Sequence, residues 1–195
     1  MPVSPAPPVP TVSLSLDVGG HAVDLASRAL VVAVVPPPRF AREAEVLAGV
    51  RSVALSGADL VEVPAELRLL GPAAAAGELP VAARVATADA ASAAWVAGAR
   101  LLLVDVDDLD AVSAAEASGD WQIGVVVSSA RAGRETVAAV PAHPVVLDAT
   151  NLAGVDAVSE ESLALSVGVR VVRTADVRRT RRVVEVMAHL LEARR

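Results

Sequence analysis

The sequence predicts a parallel α/β fold, closed as a barrel or left open as a doubly wound sheet. Three observations predict it. Seven short runs of β-branched and aliphatic residues recur: LVVAVV (30–35), ADLVEV (58–63), PVAARVA (80–86), RLLLVDV (100–106), IGVVVSS (123–129), PVVLDA (144–149) and VRVVRT (169–174). Several are continuously apolar, as strands covered on both faces are. Between most of them lie alanine-rich stretches with helical spacing and short loops, the alternation of a parallel α/β chain. A full barrel needs eight strands and typically about 250 residues. The chain has 195, the length of a single domain, and periodicity alone does not choose between the two closures.

The elements follow in order. The proline-rich start, MPVSPAPPVP, predicts an extended tail over residues 1–12, because proline removes amide donors and fixes φ. Residues 13–195 are expected to form one domain. TVSLSLDVGGHAVDL alternates apolar and polar residues around Gly19-Gly20, which predicts a β-hairpin, since a two-residue turn requires positive φ. In FAREAEVLAGVRSVALSGA, Ala44, Leu47, Val50 and Leu55 are expected to share one helix face. In TADAASAAWVAGA, Thr87 and Asp89 are candidate N-caps and Gly98 a left-handed stop. In DVRRTRRVVEVMAHLLEARR, Val177, Val184, Met187 and Leu191 form one apolar stripe.

Composition excludes several chemistries. There is no cysteine, and all 17 basic residues are arginine, none lysine. Zinc ribbons, iron–sulfur clusters, disulfide scaffolds and thiol enzymes need the first; Schiff-base catalysis and the P-loop need the second. One Phe, two Trp and a net charge of −6 argue against a nucleic-acid partner. No uncharged apolar run is long enough to span a bilayer, and the N-terminus lacks a basic signal region. A cytoplasmic protein without a membrane partner is the expectation.

In either closure ligands bind at the C-terminal ends of the parallel strands. Those ends carry Arg39, Glu62, Arg84, Asp105, Ser128 with Ser129, Asp148 and Arg173. Charged residues are rare inside buried strands, so their arrival there is informative. Glu62, Arg84 and Asp105 alternate in sign along adjacent strands, which predicts either a polar pocket for a small molecule or a self-neutralising salt-bridge plug. The DVDDLD run (105–110) with Glu116 fits an EF-hand loop only in part, with Leu109 and Asp110 at the wrong places. A solvated loop that also caps the next helix is the better account. Arg178, Arg179, Arg181, Arg182, Arg194 and Arg195 are read as a solvated outer helix face, or else a docking surface for nucleic acid or an acidic partner. His21, His143 and His189 lack ligand spacing, and no metal site is expected.

The order of these segments resembles the dihydropteroate synthase family from about Ser13 to the end. GVRVVRTADVRRTRRVVEVMAHL resembles that family's closing strand and helix, Arg173 and Asp176 matching and Ala175 standing where the family has histidine. AVDLASRALVVAVVPPPRF resembles the lead-in to its first loop, with Pro37 and Phe40 in place but Val34 at the magnesium- and pyrophosphate-binding asparagine. GADLVEVPAEL keeps acids at Glu62 and Glu66, while Pro64 and Ala65 replace glycines. A pterin-binding aspartate falls on Arg84, and the asparagine before Asp105 falls on Val104. VVLDAT resembles the Asp-Pro-Gly strand, with Asp148 as the pterin-contacting acid; an alternative alignment places it one strand later and withdraws that assignment.

The resemblance implies a TIM-type (β/α) barrel, incomplete or distorted, with about seven parallel strands after an N-terminal β-hairpin. The missing strand–helix unit would lie between Ser129 and Ser162 and leave an apolar face for a partner to cover. If the pocket survives, Glu62, Arg84, Asp105, Asp148, Arg173 and Asp176 line it. The replacements argue against synthase activity, which expels pyrophosphate and needs charge stabilisation. Val34 cannot coordinate Mg2+, and Arg84 would set donor against donor. The expectation is therefore a catalytically inactive relative that needs no cofactor and acts as an accessory or regulatory partner, dimerising with itself or with a true dihydropteroate synthase. The alternatives are a divergent enzyme that still binds a pterin, with Mg2+ only if synthase activity survives, and an arginine-helix docking protein.

Overall fold

The computed structural model describes residues 15–18, 21–35, 43–63, 67–115 and 121–193. The expected tail, the Gly19-Gly20 turn, Pro37, Arg39, Phe40, Pro64, Ala65, Glu66, Glu116, Arg194 and Arg195 lie outside the described residues. Strands β1 (Ser15–Val18) and β2 (His21–Asp24) pair antiparallel with Val18 opposite His21, the register of a hairpin with a two-residue turn. Seven parallel strands follow: β3 (Leu30–Val34), β4 (Leu60–Glu62), β5 (Val81–Arg84), β6 (Ala99–Asp105), β7 (Ile123–Val127), β8 (Val145–Asp148) and β9 (Val171–Thr174). They pair in sequence order, and β9 returns to pair with β3, so the sheet is a closed seven-stranded barrel. Closure removes the open-sheet alternative and leaves none of these strands with a free edge.

Seven α-helices are present among the described residues: α1 (Glu43–Leu55), α2 (Leu67–Ala76), α3 (Ala88–Val96), α4 (Leu109–Ser113), α5 (Ala130–Ala139), α6 (Gly154–Ser166) and α7 (Val177–Glu192). None is long and apolar enough to cross a membrane.

The strands are apolar throughout because each face has something to bury against. Val31, Ala33, Val61, Ala83, Leu102, Val104, Val125, Leu147 and Val172 belong to the cores between strands and helices. Their alternates Leu30, Val32, Leu60, Ala82, Leu101, Leu103, Val126, Val146 and Val171 form a third core inside the barrel. Leu16 and Leu25 of the hairpin segment join that inner core, so the hairpin stoppers the N-terminal end of the barrel. Hairpin and barrel therefore share one core.

The caps follow the sequence in part. The Thr87 hydroxyl accepts from the Ala90 amide and starts α3, and Gly98 stops the chain at φ 102°. Asp89 sits inside the first turn instead of capping it. Ser129 caps α5 through the Ala132 amide. DVDDLD forms the end of β6, a 3-10 turn (Val106–Asp108) and the start of α4; Asp108 takes the N-cap position of α4 without a side-chain hydrogen bond, so the expected cap is not made. On α1 the buried residues are Val46 and Val50, while Ala44 and Leu55 are exposed, Leu55 to 89%. The inward stripe is thus rotated from the expected one, because β-branched Val46 and Val50, four apart, share the packed face. The α7 stripe holds: Val177 and Val184 are buried and Met187 and Leu191 half-buried.

A narrow barrel constrains its filling. A Cβ added at Gly124 on β7 would meet Val146 Cγ2 at 2.8 Å, with Leu101 Cδ1 and Leu103 Cδ2 each at 3.5 Å. Val146 is β-branched and cannot swing aside. Gly124→Ala is therefore expected to lose about 1–3 kcal/mol by overpacking, read as a lower midpoint in chemical denaturation with an unchanged slope.

Candidate functional site

Glu62, Arg84, Asp105, Asp148 and Arg173 each lie two residues beyond an inner-core residue on the same strand: Leu60, Ala82, Leu103, Val146 and Val171. The period of two therefore places them on the interior side, one layer above the apolar filling, at the C-terminal mouth. Val34 of β3 stands opposite Glu62 in the same register.

Five strands meet in one ladder. Arg173 donates from Nε and Nη2 to Glu62 Oε2 and Oε1 at 2.5 and 2.8 Å, and from Nη1 to Asp148 Oδ1 and Oδ2 at 2.9 and 2.8 Å. Arg84 donates from Nη2 to both oxygens of Asp105 at 2.7 and 2.9 Å, and from Nη1 to Asp148 Oδ2 at 3.4 Å. The order is Glu62–Arg173–Asp148–Arg84–Asp105. This corrects the expected sequence Glu62–Arg84–Asp105. Val34 is too short and apolar to engage Glu62, so Arg173, brought round by the β3–β9 closure, takes it. The alternation of charge survives with different neighbours.

The ladder has a deep end and a shallow end. Side-chain exposure is 10% for both Glu62 and Arg173 and 17% for Asp148, but 39% for Arg84 and 47% for Asp105. Burial alone would push the Asp148 carboxyl up. The Thr150 hydroxyl and amide and the adjacent Arg173 guanidinium outweigh it and hold the carboxyl below its usual range. Arg173 is pushed above the ordinary guanidinium range: burial opposes this, and the bonds and charges of Glu62 and Asp148 overcome it.

One further member of the site is less legible, and one expected member stands apart from it. Thr150 donates its hydroxyl and its amide to Asp148 Oδ1 at 2.7 and 3.1 Å, and its hydroxyl accepts from Arg173 Nη1 at 3.2 Å. The Asp-x-Thr spacing is an Asx-turn signal that could have found it. Asp176, expected in the pocket, instead caps α7 by accepting from the Arg179 amide at 3.1 Å and pairs with the Arg179 guanidinium. It lies outside the ladder because it is three residues past Arg173, in the turn that ends β9.

The arginines of α7 are not a uniform solvated face. Arg179 donates to the fully buried Glu161 of α6 at 3.0 Å. Arg181 reaches Asp59 Oδ2 and the Gly57 carbonyl at the other end of the barrel, where Arg28 pairs with the same carboxylate. Arg178 and Arg182 are the exposed pair.

No group of three His, Cys, Asp or Glu side chains arranged to hold a metal occurs among the described residues. The three mouth carboxylates already hold guanidinium groups, and β3 presents Val34 at their level. This donor set does not fit Mg2+.

No family model and no curated protein sequence matches the chain. Solved structures do match. Dihydropteroate synthase from Thermus thermophilus in complex with 6HMPPP superposes at a TM-score of 0.68 with 21% identity, over 91% of this chain and 99% of that one. The Yersinia pestis dihydropteroate synthase gives 0.68 at 12% identity over 93% and 100%. The 7,8-dihydropteroate synthase of Vibrio fischeri gives 0.72 at 11% identity over 92% and 98%. The chain therefore has a dihydropteroate-synthase-like fold.

The two ends of the ladder are expected to respond differently to mutation. Glu62→Ala leaves the buried Arg173 without its two-pronged partner and is expected to cost about 3–5 kcal/mol. Arg84→Ala, at the exposed end, is expected to cost at most about 1 kcal/mol. Denaturant titration of the two variants beside the unaltered chain checks the ranking. Because the folded carboxyl of Asp148 is held low, its stabilisation is present above its unfolded value, 3.8, and is lost as pH falls through the folded value. Asp148→Asn should flatten that acid limb, and unfolding curves recorded through the acid range read it directly.

Proposed function

We propose that this chain is a non-catalytic relative of dihydropteroate synthase that acts as an accessory or regulatory partner. The observation that carries the reading is the occupied mouth. The place where a ligand would enter a barrel of this kind is filled by Arg84 and Arg173, each bonded to two carboxylates.

The chemistry agrees. The synthase reaction expels pyrophosphate, so it needs a cation and donors directed at the developing charge. Val34 offers neither, Ala175 offers no imidazole, and the chain has no lysine. A pterin ring presents N–H donors that want carboxylate acceptors; Arg84 presents only donors. Asp148 and Asp105 are committed to arginine.

The partner is a second copy of the chain or a true dihydropteroate synthase. Support comes from the outer helices: Val155, Val158 and Leu163 of α6 and Val186 and Leu190 of α7 are exposed, and α6 packs directly on α7. Exposed apolar side chains on neighbouring helices are the composition of a docking surface. The protein works in the cytoplasm in this reading, as its acidic, cysteine-free composition suits.

A second reading, a divergent enzyme that still binds a pterin, draws on one observation. Asp148 is held ionised at the end of β8 by Thr150 and Arg173, as a pterin acceptor would need to be.

Thermal melting with a pterin pyrophosphate analogue and Mg2+ separates the two. A ligand at 100 times its dissociation constant stabilises by about 2.7 kcal/mol, roughly 5–10 °C for a chain of this size. No shift at millimolar ligand is expected. A shift of that size, abolished by Asp148→Ala, would overturn the inactive reading in favour of the second.

A further inference from the structure

We infer that the cleft between the C-terminal half of α7 and the segment leading into β3 binds a small monocarboxylate with an apolar body of about six carbons. The cleft lies at the opposite end of the barrel from the ladder: its walls include Ala29, one residue before β3, and Arg170, one residue before β9. Its occupancy is therefore independent of what fills the mouth.

The cleft exists because α7 outruns its cover. Its apolar stripe is buried at Val177 and Val184 but only half-buried at Met187 and Leu191. Across the cleft from that last part of the helix, the segment before β3 offers only the small side chains of Ala26 and Ala29, with Leu165 of α6 beside them. The resulting cavity is about 170 Å³. That is well under the roughly 300–1,000 Å³ of pockets for larger ligands and close to the roughly 150 Å³ that accommodates benzene. An occupant is thus limited to a single ring or a short chain. Methionine is unbranched and adapts its shape to such a guest.

Charge selects the head group. The lining holds two guanidiniums, Arg28 and Arg170, and one carboxylate, Glu192. Arg28 is bonded through Nη2 to Asp59, which Arg181 also holds at 2.5 Å, so one carboxylate serves two guanidiniums. The Arg28 side chain is 54% exposed, and its Nε and Nη1 have no hydrogen-bond partner among the described residues. A carboxylate accepts from such donors in a charge-assisted bond, while its apolar body covers Met187 and Leu191. Glu192 and Asp24, whose Oδ1 accepts from the Ala26 amide at 2.9 Å, repel a second negative charge. The ligand class is therefore a monocarboxylate.

Met187 is one of only two methionines, so its methyl carbon resonance reports on the cleft directly, and Met187→Leu assigns it. The methyl-labelled chain is titrated with hexanoate at constant ionic strength, and in parallel with hexylammonium, hexanol and the dianion adipate. The expected result is a saturable shift of the Met187 signal with hexanoate, with the other methionine signal unchanged, and markedly weaker binding of the three controls. Arg28→Gln should weaken hexanoate binding by about tenfold, the loss of one hydrogen bond to a charged group. Ala188→Leu, which fills the cleft from its half-buried position on α7, should abolish it. A shift that never saturates, equal binding of hexylammonium, hexanol or adipate, or full affinity in either variant would each overturn the site. If Arg28→Gln does not fold, Ala188→Leu decides, since it leaves Asp59 both of its arginines. A pterin that binds the mouth leaves the Met187 signal in place, so this titration and the pterin titration fail separately.

Discussion

Arg173 spans the top of the barrel from Glu62 on β4 to Asp148 on β8, and the rest of the mouth is arranged around that span. A guanidinium cannot lose its proton to escape burial. Once the β3–β9 closure places it above the apolar filling, carboxylates must meet it. Glu62 meets one edge with both oxygens and Asp148 takes Nη1. Thr150 then orients Asp148, and the Asp148 oxygen turned away from Thr150 is what Arg84 reaches. Each group is where it is because the previous one needed a partner. Such a chain is weak evidence for stability as a whole, since well-packed apolar groups could do as well, but removing a link at its buried end exposes the full cost of an unpaired charge. What the ladder supplies is position: it fixes strands far apart in sequence at the same height.

The barrel below it obeys a related constraint. Closing seven strands leaves a narrow interior, and its filling is accordingly modest in volume: Ala82 and Gly124 alternate with Leu and Val around the ring. The two ends are closed in different ways. Leu16 and Leu25 plug the N-terminal end with hydrocarbon, whereas the C-terminal end is closed with charge. Apolar plugging is strong and uninformative about ligands. Charged plugging commits each carboxylate of the mouth to a guanidinium.

Much of this was legible in the sequence. Seven apolar runs became the seven barrel strands, and five of the six charged residues read at their ends became one cluster, Arg39 lying outside the described residues, because charge inside a buried strand has few reasons to exist other than a partner across the interior. The partners themselves were not legible. Which strands face each other depends on closure, and only closure brings Arg173 within reach of Glu62. Asp176 shows the same limit on a smaller scale: three residues beyond Arg173, it leaves the strand and becomes a helix cap. On α1 the spacing allowed two faces, and packing chose Val46 and Val50 over Ala44 and Leu55. The α7 arginines looked alike in sequence, yet Arg179 and Arg181 are drawn to Glu161 and Asp59, acids on other elements that local pattern does not reveal. Thr150 was passed over because a threonine after an aspartate is common in loops.

The absence of lysine gives the mouth its character. Every Lys-or-Arg position in the chain is an arginine, planar and forked, and the deepest rung of the ladder uses that fork. Arg173 satisfies two carboxylates at once by turning one edge to Glu62 and a single nitrogen to Asp148; an ammonium, with three donors on one atom, could not be held two-pronged by one carboxylate while reaching a second. Arg84, nearer the surface, also spans two carboxylates but gives each a single nitrogen, Nη2 to Asp105 and Nη1 to Asp148. A lysine at either position would neutralise charge but leave the geometry unspecified. The mouth is thus a set of carboxylates already held by guanidinium groups, which makes it a poor place for Mg2+, an ion that demands near-octahedral oxygen ligation.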